Sequence, residues 1–300
     1  MTKIIILGGG NSTERDVSLR SSRAVYQAAL QAGFSATILD PRDGLSALDA
    51  VSKDTIILPI LHGAGGEDGT IQKELEKRGL AYLGADSKTS ELCFNKANVR
   101  ELLQEHDVSI AEGGVVDKNT YRQNVLSKRP HVLKVNRGGS SIGTYIVHNP
   151  ASLDEKKVSE VFGLDNQAIL EELVDGVEIT VPVIGDTALP VIEIQPPKNA
   201  DFDYMNKYNG QTSELCPPQN VSKELQHKAQ ALAEKVHHLT GCRHLSRTDM
   251  IVRPNGEIVV LEINTIPGMT DQSLLPKSAN VAGISFPELV KRFVELVQVR

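Results

Sequence analysis

The stretch RTDMIVRPNGEIVVLEIN, residues 247–264, predicts a β-hairpin near the C-terminal end of the chain. Its two halves are rich in β-branched residues, and Pro254-Asn255-Gly256 between them is a strong turn signal. We expect a four-residue loop, because Pro254 has no N–H to give to the ladder. The alternative is a three-residue loop, 254–256, with a bulge, which would shift the register by one and separate the two acids, Asp249 and Glu262.

The four-residue loop would gather four polar side chains on one face of the hairpin. Pairing outward from the turn sets Asp249 opposite Glu262 and, two residues further out, Arg247 opposite Asn264. Opposed Cβ atoms lie roughly 4.5–5.5 Å apart, so two carboxylates placed there repel each other. A divalent cation would turn that repulsion into binding, since such oxygen ligands suit Mg²⁺ that also contacts phosphates. The hairpin therefore suggests a metal–nucleotide site, with a solvated acidic face as the plain alternative.

Composition and charge argue against several classes of partner. The chain has 300 residues, of which 40% are hydrophobic and 23% charged, as in ordinary globular proteins, and its length predicts two or three domains. A net charge of −6 without a basic run argues against nucleic acid as a partner. No apolar run reaches ~18 residues, which predicts no transmembrane helix and no membrane partner.

The first strand and the cysteines indicate the compartment. The apolar run 4–8 ends in glycines and is too short for a signal peptide. The odd number and wide spacing of Cys93, Cys216 and Cys242 argue against a disulfide framework or a zinc site. We therefore expect a reduced, cytoplasmic protein.

Two patterns of secondary structure follow one another along the chain. The first ~85 residues alternate strand and helix, which predicts a parallel sheet with functional loops at the carboxyl ends of its strands. The rest predicts mostly antiparallel strands and three long helices, at 89–105, 222–240 and 286–298. We expect three domains, with limits 1–85, 86–170 and 171–300. The polar stretch 196–218 is typical of a lid or a disordered segment.

Two loops of the N-terminal half carry candidate functional residues. The glycine run 8–10 suggests a dinucleotide motif, but Thr13 stands where its third glycine belongs. The turn instead presents Glu14 at a helix start, where it would either complement the helix dipole or bind a ligand ammonium. His62 precedes the glycine-rich loop 63–69 and is either a packed residue or one that meets a ligand.

Three further segments fit a nucleotide and a reacting centre. Lys134 precedes a loop of glycines and hydroxyls, 138–143, whose N–H groups can cradle phosphate oxygens. The stretch 169–179 is predicted as strand, turn and strand, and such a connector can offer backbone groups to an adenine edge; a surface hairpin is the plain alternative. The turn at Gly268 would bring a backbone N–H near Arg247, and together they would form an oxyanion hole.

Six motifs, in order, resemble those of the D-alanine–D-alanine ligases of the ATP-grasp superfamily over essentially the whole chain. They are Glu14-Arg15-Asp16-Val17-Ser18, the loop from His62 to Gly69, Lys134 with Gly139-Ser140-Ser141-Ile142-Gly143, Asp203-Tyr204 with Lys207-Tyr208, Arg247 with Asp249, and Glu262 with Asn264 and Pro267-Gly268-Met269-Thr270. One motif alone is a weak signal, and six together are specific. The chain departs from the family pattern at Val135, Gly138 and Leu245-Ser246, which concern loop stiffness and packing more than reaction type.

The resemblance implies an α/β protein with the ATP-grasp fold, in which an N-terminal βαβ domain precedes central and C-terminal α+β domains that sandwich ATP. It implies ATP-dependent ligation of two D-alanines through a D-alanyl phosphate, for peptidoglycan precursors and thereby cell shape. ATP and two Mg²⁺ or Mn²⁺ ions are the implied cofactors, and a cytoplasmic homodimer is the implied form.

The resemblance also implies roles for individual residues. The catalytic set is Glu14, Ser140, Tyr208, Arg247 and the N–H of Gly268. The D-alanine carboxylates would meet His62, Ser273 and Leu274. ATP would contact Lys96, Lys134, Ser140, Ser141, Glu171, Glu172, Val174, Glu178 and Lys207. The metal ligands would be Asp249, Glu262 and Asn264.

Two rival functions stay open from the sequence: a superfamily ligase that joins a different carboxylate and amine, and a nucleotide-binding protein without catalysis. Segments 136–143 and 198–213 are predicted to be lids that close over ATP and exclude water from the acyl phosphate. Tyr208 predicts a peptide product, because relatives that make ester-linked D-alanyl-D-lactate generally carry phenylalanine at that position.

Overall fold

The computed structural model describes residues 2–139, 142–196 and 212–299, which form three β-sheets with helices around them. The first sheet has the order β2-β1-β3-β4, with β1 Lys3–Leu7, β2 Ser35–Leu39, β3 Ile56–Pro59 and β4 Ala81–Tyr82. The second has the order β5-β8-β6-β7, with β5 Gly113–Val116, β6 His131–Val135, β7 Thr144–Val147 and β8 Ala168–Glu172. The third has the order β12-β11-β9-β13-β14, with β10 beside β9; its strands are β9 Val177–Ile184, β10 Thr187–Ala188, β11 Ile192–Gln195, β12 Ser213–Leu215, β13 Leu245–Val252 and β14 Ile258–Asn264.

The α-helices of the described residues connect and cover these sheets. They are α1 Arg15–Gln31, α2 Thr70–Lys77, α3 Ser87–Phe94, α4 Lys96–Glu105, α5 Lys118–Gln123, α6 Glu155–Leu164, α7 Lys223–Leu239, α8 Leu274–Val281 and α9 Phe286–Gln298. Short 3₁₀ helices span Pro41–Asp43, Ser46–Leu48, Val125–Lys128 and Pro150–Ser152. None of the helices in the described ranges is long and apolar enough to cross a bilayer.

The predicted parallel sheet of the N-terminal segment is confirmed. The apolar side chains of β1 pack against α1 and, from the other end of the chain, against α9: Ile4, Val25 and Phe293 belong to one hydrophobic cluster. Burying a side chain as large as Phe293 contributes about 1.5–3 kcal/mol. The core thus fixes the strand ends that carry the loops with Glu14 and His62.

The single helix predicted at 89–105 is wrong, because the chain forms two helices, α3 and α4, that break at Asn95. Asn95 has φ −103° and ψ 99°, and its side chain accepts the N–H of Asn98 as the cap of α4. At the break, the backbone bonds to the loop after β6: the N–H of Lys96 donates to the carbonyl oxygen of Asn136 at 3.1 Å. The break therefore places Lys96 in the first turn of α4, beside the glycine loop.

The predicted pairing of Asp249 with Glu262 is confirmed in the hairpin β13–β14. The four-residue loop is wrong: the N–H of Arg253 donates to the carbonyl oxygen of Glu257 at 2.8 Å, which leaves a three-residue loop. That loop shifts the register by one, and an extra residue in β14, Leu261, shifts it back. The two offsets cancel, so both acids share one face.

The strands β8 and β9, predicted as two strands around one turn, belong to different sheets. The connector 173–176 therefore passes from the second sheet to the third, and the surface-hairpin alternative is wrong. A Cβ on Gly176, whose φ is +153°, would lie 2.3 Å from the carbonyl oxygen of Val252, so the crossing requires glycine. The domain limits near residues 85 and 170 stay a prediction.

Candidate active site

Two cavities meet on one side of the third sheet. The large cavity, of about 710 Å³, is bordered by the start of α1, the loop at His62 and the end of β14. The small cavity, of about 560 Å³, lies between the second and third sheets. Lys96, Gly139 and Glu262 line both cavities, so the two join there.

Every predicted site residue that the structure describes lines one or both cavities. The large cavity also holds Glu14, His62, Arg247, Asn264, Gly268, Ser273 and Leu274. The small cavity also holds Lys134, Glu171, Glu172, Val174, Glu178 and Asp249. Outside the described residues lie Ser140, Ser141, Lys207 and Tyr208, so their roles stay predictions.

The junction of the cavities is built around the lysine that begins α4. The Nζ of Lys96 donates to the carbonyl oxygen of Gly138 at 2.6 Å and lies 4.0 Å from the Glu262 carboxylate. Burial lowers the pKa of Lys96, and the carboxylate of Glu262 offsets part of that effect. The ammonium group of Lys96 is therefore held between the glycine loop and the acidic hairpin. An anionic ligand bound to it could bridge the two cavities.

Two cations hold a buried carboxylate in the wall of the small cavity. Lys134 Nζ lies 2.5 Å from one oxygen of Glu171, and Arg100 Nη1 lies 2.9 Å from the other. Only 4% of the Glu171 side chain is exposed, and leaving a carboxylate that deep without such partners would be strongly destabilising. Sequence reasoning missed Arg100, whose one signal is its place on the apolar face of α4, between Val99 and Leu103.

Two more acids border the small cavity. Arg253 Nη2 donates to the carboxylate of Glu172 at 2.5 Å, which anchors the start of the connector. Glu193, 1% exposed, accepts two backbone N–H groups from the 219–220 turn, each at 2.8 Å. Burial raises the pKa of Glu193, but these bonds and those from the Asn220 and neighbouring amide side chains bring it below its ordinary value. Sequence reasoning missed this residue, although an acid inside an apolar strand was a usable signal.

The acidic hairpin forms the wall between the cavities. Arg247 pairs with Asn264 across the strands, as predicted. Its Nε and Nη2 donate to the two oxygens of Asp249 at 2.9 and 2.8 Å, and the hydroxyl of Thr180 adds a third donor at 2.5 Å. The arginine and the aspartate are therefore held in one fixed geometry.

The donor set of this hairpin fits a hard divalent cation. Asp249, Glu262 and Asn264 offer carboxylate and amide oxygens from one face, which is the chemistry that Mg²⁺ and Mn²⁺ prefer. No group of three His, Cys, Asp or Glu side chains suited to a metal occurs in the described ranges, so a cation here would need the amide oxygen of Asn264 beside the two carboxylates. The Oδ1 of Asn264 accepts the N–H of Ile266 at 2.8 Å and keeps a second lone pair.

His62 brings a neutral imidazole to the large cavity. It is 6% exposed, and its Nε2 lies 3.4 Å from the hydroxyl of Ser21. Burial lowers its pKa to about 4, and the charge of Arg247 acts in the same direction. The ring can therefore exchange hydrogen bonds with a ligand at neutral pH without carrying a charge.

A pair of buried carboxylates faces the same cavity. The Oε2 of Glu67 accepts the N–H of Gly63 at 2.6 Å. Burial and then the charge of Glu14 raise the pKa of Glu67 to about 8. A Cβ on Gly139 would lie 3.2 Å from Glu14 Oε2 and 3.3 Å from Glu67 Oε2, so the glycine loop covers both acids. Glu67 lies in a motif that the sequence analysis singled out, but it received no role there.

The start of α8 closes the large cavity. The Oγ of Ser273 accepts the N–H of Thr270 at 3.0 Å, and a Cβ on Gly268 would lie 2.8 Å from that Oγ. The helix N-terminus adds partial positive charge, and the cationic side chain of Arg20 lines the same cavity, whereas Lys277 there is paired with Glu214 at 2.5 Å. This end of the cavity suits a carboxylate.

The fold and the paired cavities define the class of protein. A cavity between two antiparallel sheets, with lysines and a carboxylate hairpin at its edge, fits the class of ATP-grasp enzymes. The sequence model of the family described as "D-ala D-ala ligase C-terminus" matches residues 103–295. The chain belongs to the D-alanine–D-alanine ligase family.

Individual relatives match this chain over nearly its full length. A D-alanine–D-alanine ligase of Nitratidesulfovibrio vulgaris (strain Hildenborough) is 37% identical over 297 residues, which cover 98% of this chain and 97% of that protein. The structure of VanG D-Ala:D-Ser ligase from Enterococcus faecalis has a TM-score of 0.84 at 27% identity and covers 99% of both chains. The D-alanine–D-alanine ligase of Bacillus anthracis complexed with ATP has a TM-score of 0.83 at 25% identity and covers 99% of this chain and 97% of that one. The expected ATP-grasp fold is confirmed.

Proposed function

We propose that this protein joins two molecules of D-alanine to D-alanyl-D-alanine, for peptidoglycan precursors, at the expense of ATP. The observation that carries the proposal is the junction at Lys96, Gly139 and Glu262, which both cavities share. A phosphate bound in the small cavity and a carboxylate bound in the large one would meet there. Holding two reactants at such a meeting point supplies much of a ligase's rate.

The small cavity binds ATP in this proposal. Glu171 would accept a hydrogen bond from the amino group of adenine. The chain from Glu172 to Val174 would present the carbonyl of Glu172 and the N–H of Val174 to the edge of the base. Glu178, the second residue of β9, would hold the ribose. Lys96 and Lys134 would contact the phosphates. What supports these roles is the wall around Glu171, where Arg100 and Lys134 hold the two carboxylate oxygens without a ligand.

The carboxylate hairpin belongs to the phosphate end of ATP. Asp249, Glu262 and Asn264 would hold divalent cations, whose bound charge would neutralise the phosphate oxygens. Arg247, fixed by Asp249, lines the large cavity from the same hairpin. Its position suits stabilisation of the charge that develops on the reacting carboxylate.

The large cavity binds both amino acids. Glu14 would hold the ammonium of the first D-alanine, and the neutral ring of His62 would lie near its carboxylate. The γ-phosphoryl group goes to that carboxylate, the amine of the second D-alanine attacks the acyl carbon, and phosphate leaves. The Gly268 N–H and Arg247 would stabilise the tetrahedral oxyanion, and Ser273 and Leu274 would receive the second carboxylate.

The second amine must lose a proton before it attacks. The resemblance gives that task to Glu14, Ser140 and Tyr208, of which only Glu14 is among the described residues. A Tyr208→Phe variant would lose one hydrogen bond to the acceptor ammonium, so we expect relative use of D-lactate to rise, most at low pH. An unchanged ratio of dipeptide to depsipeptide across pH would contradict this role.

ADP release with and without D-alanine, Mg²⁺ being present throughout, tests the function directly. We expect release only when D-alanine is added, with D-alanyl-D-alanine as the product by mass spectrometry. D-serine and D-lactate, offered beside D-alanine, define the acceptor class, since one structural relative is named a D-Ala:D-Ser ligase. Nucleotide binding without ADP release would identify the binding-protein rival, and release with other amino acids alone would identify the rival ligase.

The remaining features rest on the resemblance and on charge. We propose a cytoplasmic homodimer of three domains with lids at 136–143 and 198–213, and no nucleic-acid or membrane partner. Part of each lid lies outside the described residues. Sedimentation tests the dimer, and hydrogen exchange with ATP, Mg²⁺ and a D-alanine analogue tests lid closure by protection of both segments.

A further inference from the structure

One hydroxyl joins the two loops that carry Glu14 and His62. The Oγ of Ser12 donates to the carbonyl oxygen of His62 at 2.6 Å. The same oxygen accepts the N–H of Glu14 at 3.2 Å. Glu14 and His62 both line the large cavity, whereas Ser12 is not among the described residues that line it. Ser12 therefore bonds to the backbone of two site residues without facing the cavity itself.

The two loops approach each other too closely for a side chain at their contact. A Cβ on Gly63, whose φ is +72°, would lie 2.7 Å from the Oε2 of Glu14 and 3.3 Å from the Cβ of Ser12. Glycine supplies both the space and the positive φ. The hydroxyl of Ser12 thus bonds across a contact that Gly63 makes possible.

The loop that presents Ser12 is anchored on the first sheet. Arg15 Nη1 donates to the carbonyl oxygen of Gly10 at 2.8 Å, and Arg15 Nη2 lies 2.6 Å from the Oδ2 of Asp40. The N–H of Gly10 donates to the Oδ1 of Asp40 at 2.9 Å. Because Asp40 directly follows β2, these bonds fix the turn between β1 and α1. The bond from Ser12 to His62 extends that anchoring to the second loop.

The start of α1 depends on Ser12 as well. Glu14 directly precedes this helix, and its side chain makes no hydrogen bond to the N–H groups of the described first turn. Its side chain, 4% exposed, lines the large cavity instead. The first N–H groups of a helix need partners from outside the helix, and Ser12 supplies one for Glu14. The direction of the Glu14 carboxylate is therefore linked to the position of the Ser12 hydroxyl.

We propose that Ser12 is a positioning residue that sets the spacing between Glu14 and His62, and thereby the fit of the first D-alanine. The inference rests on the proposed function, in which Glu14 takes the ammonium and His62 the carboxylate of one molecule. These two groups are a fixed distance apart in an α-amino acid, so the protein groups that receive them must keep a matching distance. Loss of the hydroxyl lets one loop move relative to the other. The second D-alanine, received at Ser273 and Leu274, is unaffected.

Hydrogen exchange in the ligand-free, full-length protein tests the link between the loops without reference to activity. In Ser12→Ala we expect faster exchange in both loops, 10–15 and 62–67, because each loses its bond to the other. Ser52→Ala is the matched control, since Ser52 also accepts the N–H two residues on, that of Asp54, at 3.4 Å in an exposed turn. The control should leave exchange in both loops unchanged. Faster exchange in the loop of Ser12 alone, or in neither loop, would overturn the proposal.

Steady-state kinetics tests the consequence for the substrate. ADP release measured against D-alanine concentration gives one KM for each of the two amino-acid sites. In Ser12→Ala we expect the KM of the first site to rise about tenfold, as loss of one hydrogen bond can cause, and that of the second to stay within about twofold. Ser12→Thr keeps the hydroxyl and should keep both native values. A purely structural role for Ser12 would not separate the two KM values.

The possible outcomes distinguish the positioning role from the proposed function. An equal rise in both KM values, no change in either, or a Ser12→Thr variant as impaired as Ser12→Ala would overturn the positioning role. A native protein without D-alanine-dependent ADP release would instead contradict the proposed function, and hydrogen exchange would still decide whether Ser12 joins the two loops.

Discussion

The small and the large cavity differ in how their buried carboxylates are paired. In the small cavity, Arg100 and Lys134 contact the two oxygens of Glu171, so its charge is balanced before a ligand binds. In the large cavity, Glu67 lies near Glu14 without such a cation in contact among the described residues, and its pKa rises to about 8. The carboxylate in the wall of the small cavity is thus paired before any ligand binds, whereas an ammonium group bound in the large cavity would stabilise the carboxylates there.

Asp249 lines the small cavity and lies opposite Glu262, which lines both cavities, so changing Asp249 should have the largest effect. We expect Asp249→Asn to lower turnover by about 10²–10³-fold, because it weakens the cation site and the fixing of Arg247. ADP release at saturating Mg²⁺ measures this. Asp186→Asn, in an exposed turn, is the matched control and should keep native turnover. Equal losses in both variants, or unfolding of Asp249→Asn, would contradict the assignment.

Arg100→Met tests whether the small cavity is preorganised by its ion pairs. The variant keeps the apolar stem but leaves Glu171 with one cation, so we expect a loss of about 3 kcal/mol in the free energy of unfolding by urea. Arg129→Met breaks an exposed pair with Glu112 and should lose no more than about 1 kcal/mol. Adding Glu171→Gln to Arg100→Met should recover part of the loss. Similar losses for the two single variants would show that burial of the pair is unimportant.

Glu67→Gln tests the raised pKa of Glu67 in the large cavity through the pH dependence of the free energy of unfolding. The Glu67 carboxyl has a pKa of about 8 in the native protein and its ordinary, lower pKa in the unfolded chain. Between these two values the native protein keeps a proton that the unfolded chain has released, so the free energy of unfolding falls as pH rises toward 8. Between pH 6.5 and 8 we expect a fall of about 2 kcal/mol in the native protein, which the variant should lack.

The window begins at pH 6.5 so that the titration of the buried histidines does not contribute to the slope. Burial lowers the pKa of His62, His237 and His244 to about 4, so they make stability rise with pH only below their ordinary value of 6.5. Glu91→Gln, on an exposed part of α3, is the control and should keep the native slope. The same slope in Glu67→Gln would refute a raised pKa at this carboxyl.

Gly256→Ala should have the smallest effect, because the hairpin turn is remote from both cavities. Gly256 has φ +86°, and an added Cβ would meet only Leu225, at an ordinary 3.8 Å. We expect a loss of about 1 kcal/mol from backbone strain and unchanged turnover. Gly163→Ala, in open space on α6, should instead stabilise by about 0.5–1 kcal/mol. A loss of turnover in Gly256→Ala would show that the turn communicates with the cation site.

The hairpin shows how a sequence argument can reach a correct pair through an incorrect path. Proline at position 254 argued for an even loop, but it is accommodated in a three-residue loop closed by Arg253 and Glu257. The bulge at Leu261 restored the register that the loop had shifted. Neither offset has a clear signal, because turn type and bulge position depend on the packing of β13 against β9 as well as on local residues.

The residues that sequence reasoning missed share one property, since each acts through a partner distant in the chain. Arg100 matters because Glu171 lies beside it, and Glu193 because the 219–220 turn donates to it. Glu67 is perturbed by Glu14, on another loop of the first sheet. No spacing rule predicts such pairs, because they form only when separate elements pack.

The sequence by itself determined the parallel sheet, the pairing of Asp249 with Glu262 and, through the family resemblance, many of the residues that line the cavities. These follow from local signals: side-chain period, turn residues and glycine loops next to charged groups. Only the tertiary structure decided that the connector 173–176 passes between two sheets and that the helical chain breaks between α3 and α4, just ahead of Lys96. Those features depend on contacts between elements far apart in the chain, and the burial that results, which sets the ionisation of Glu67 and His62, exists only in the folded protein.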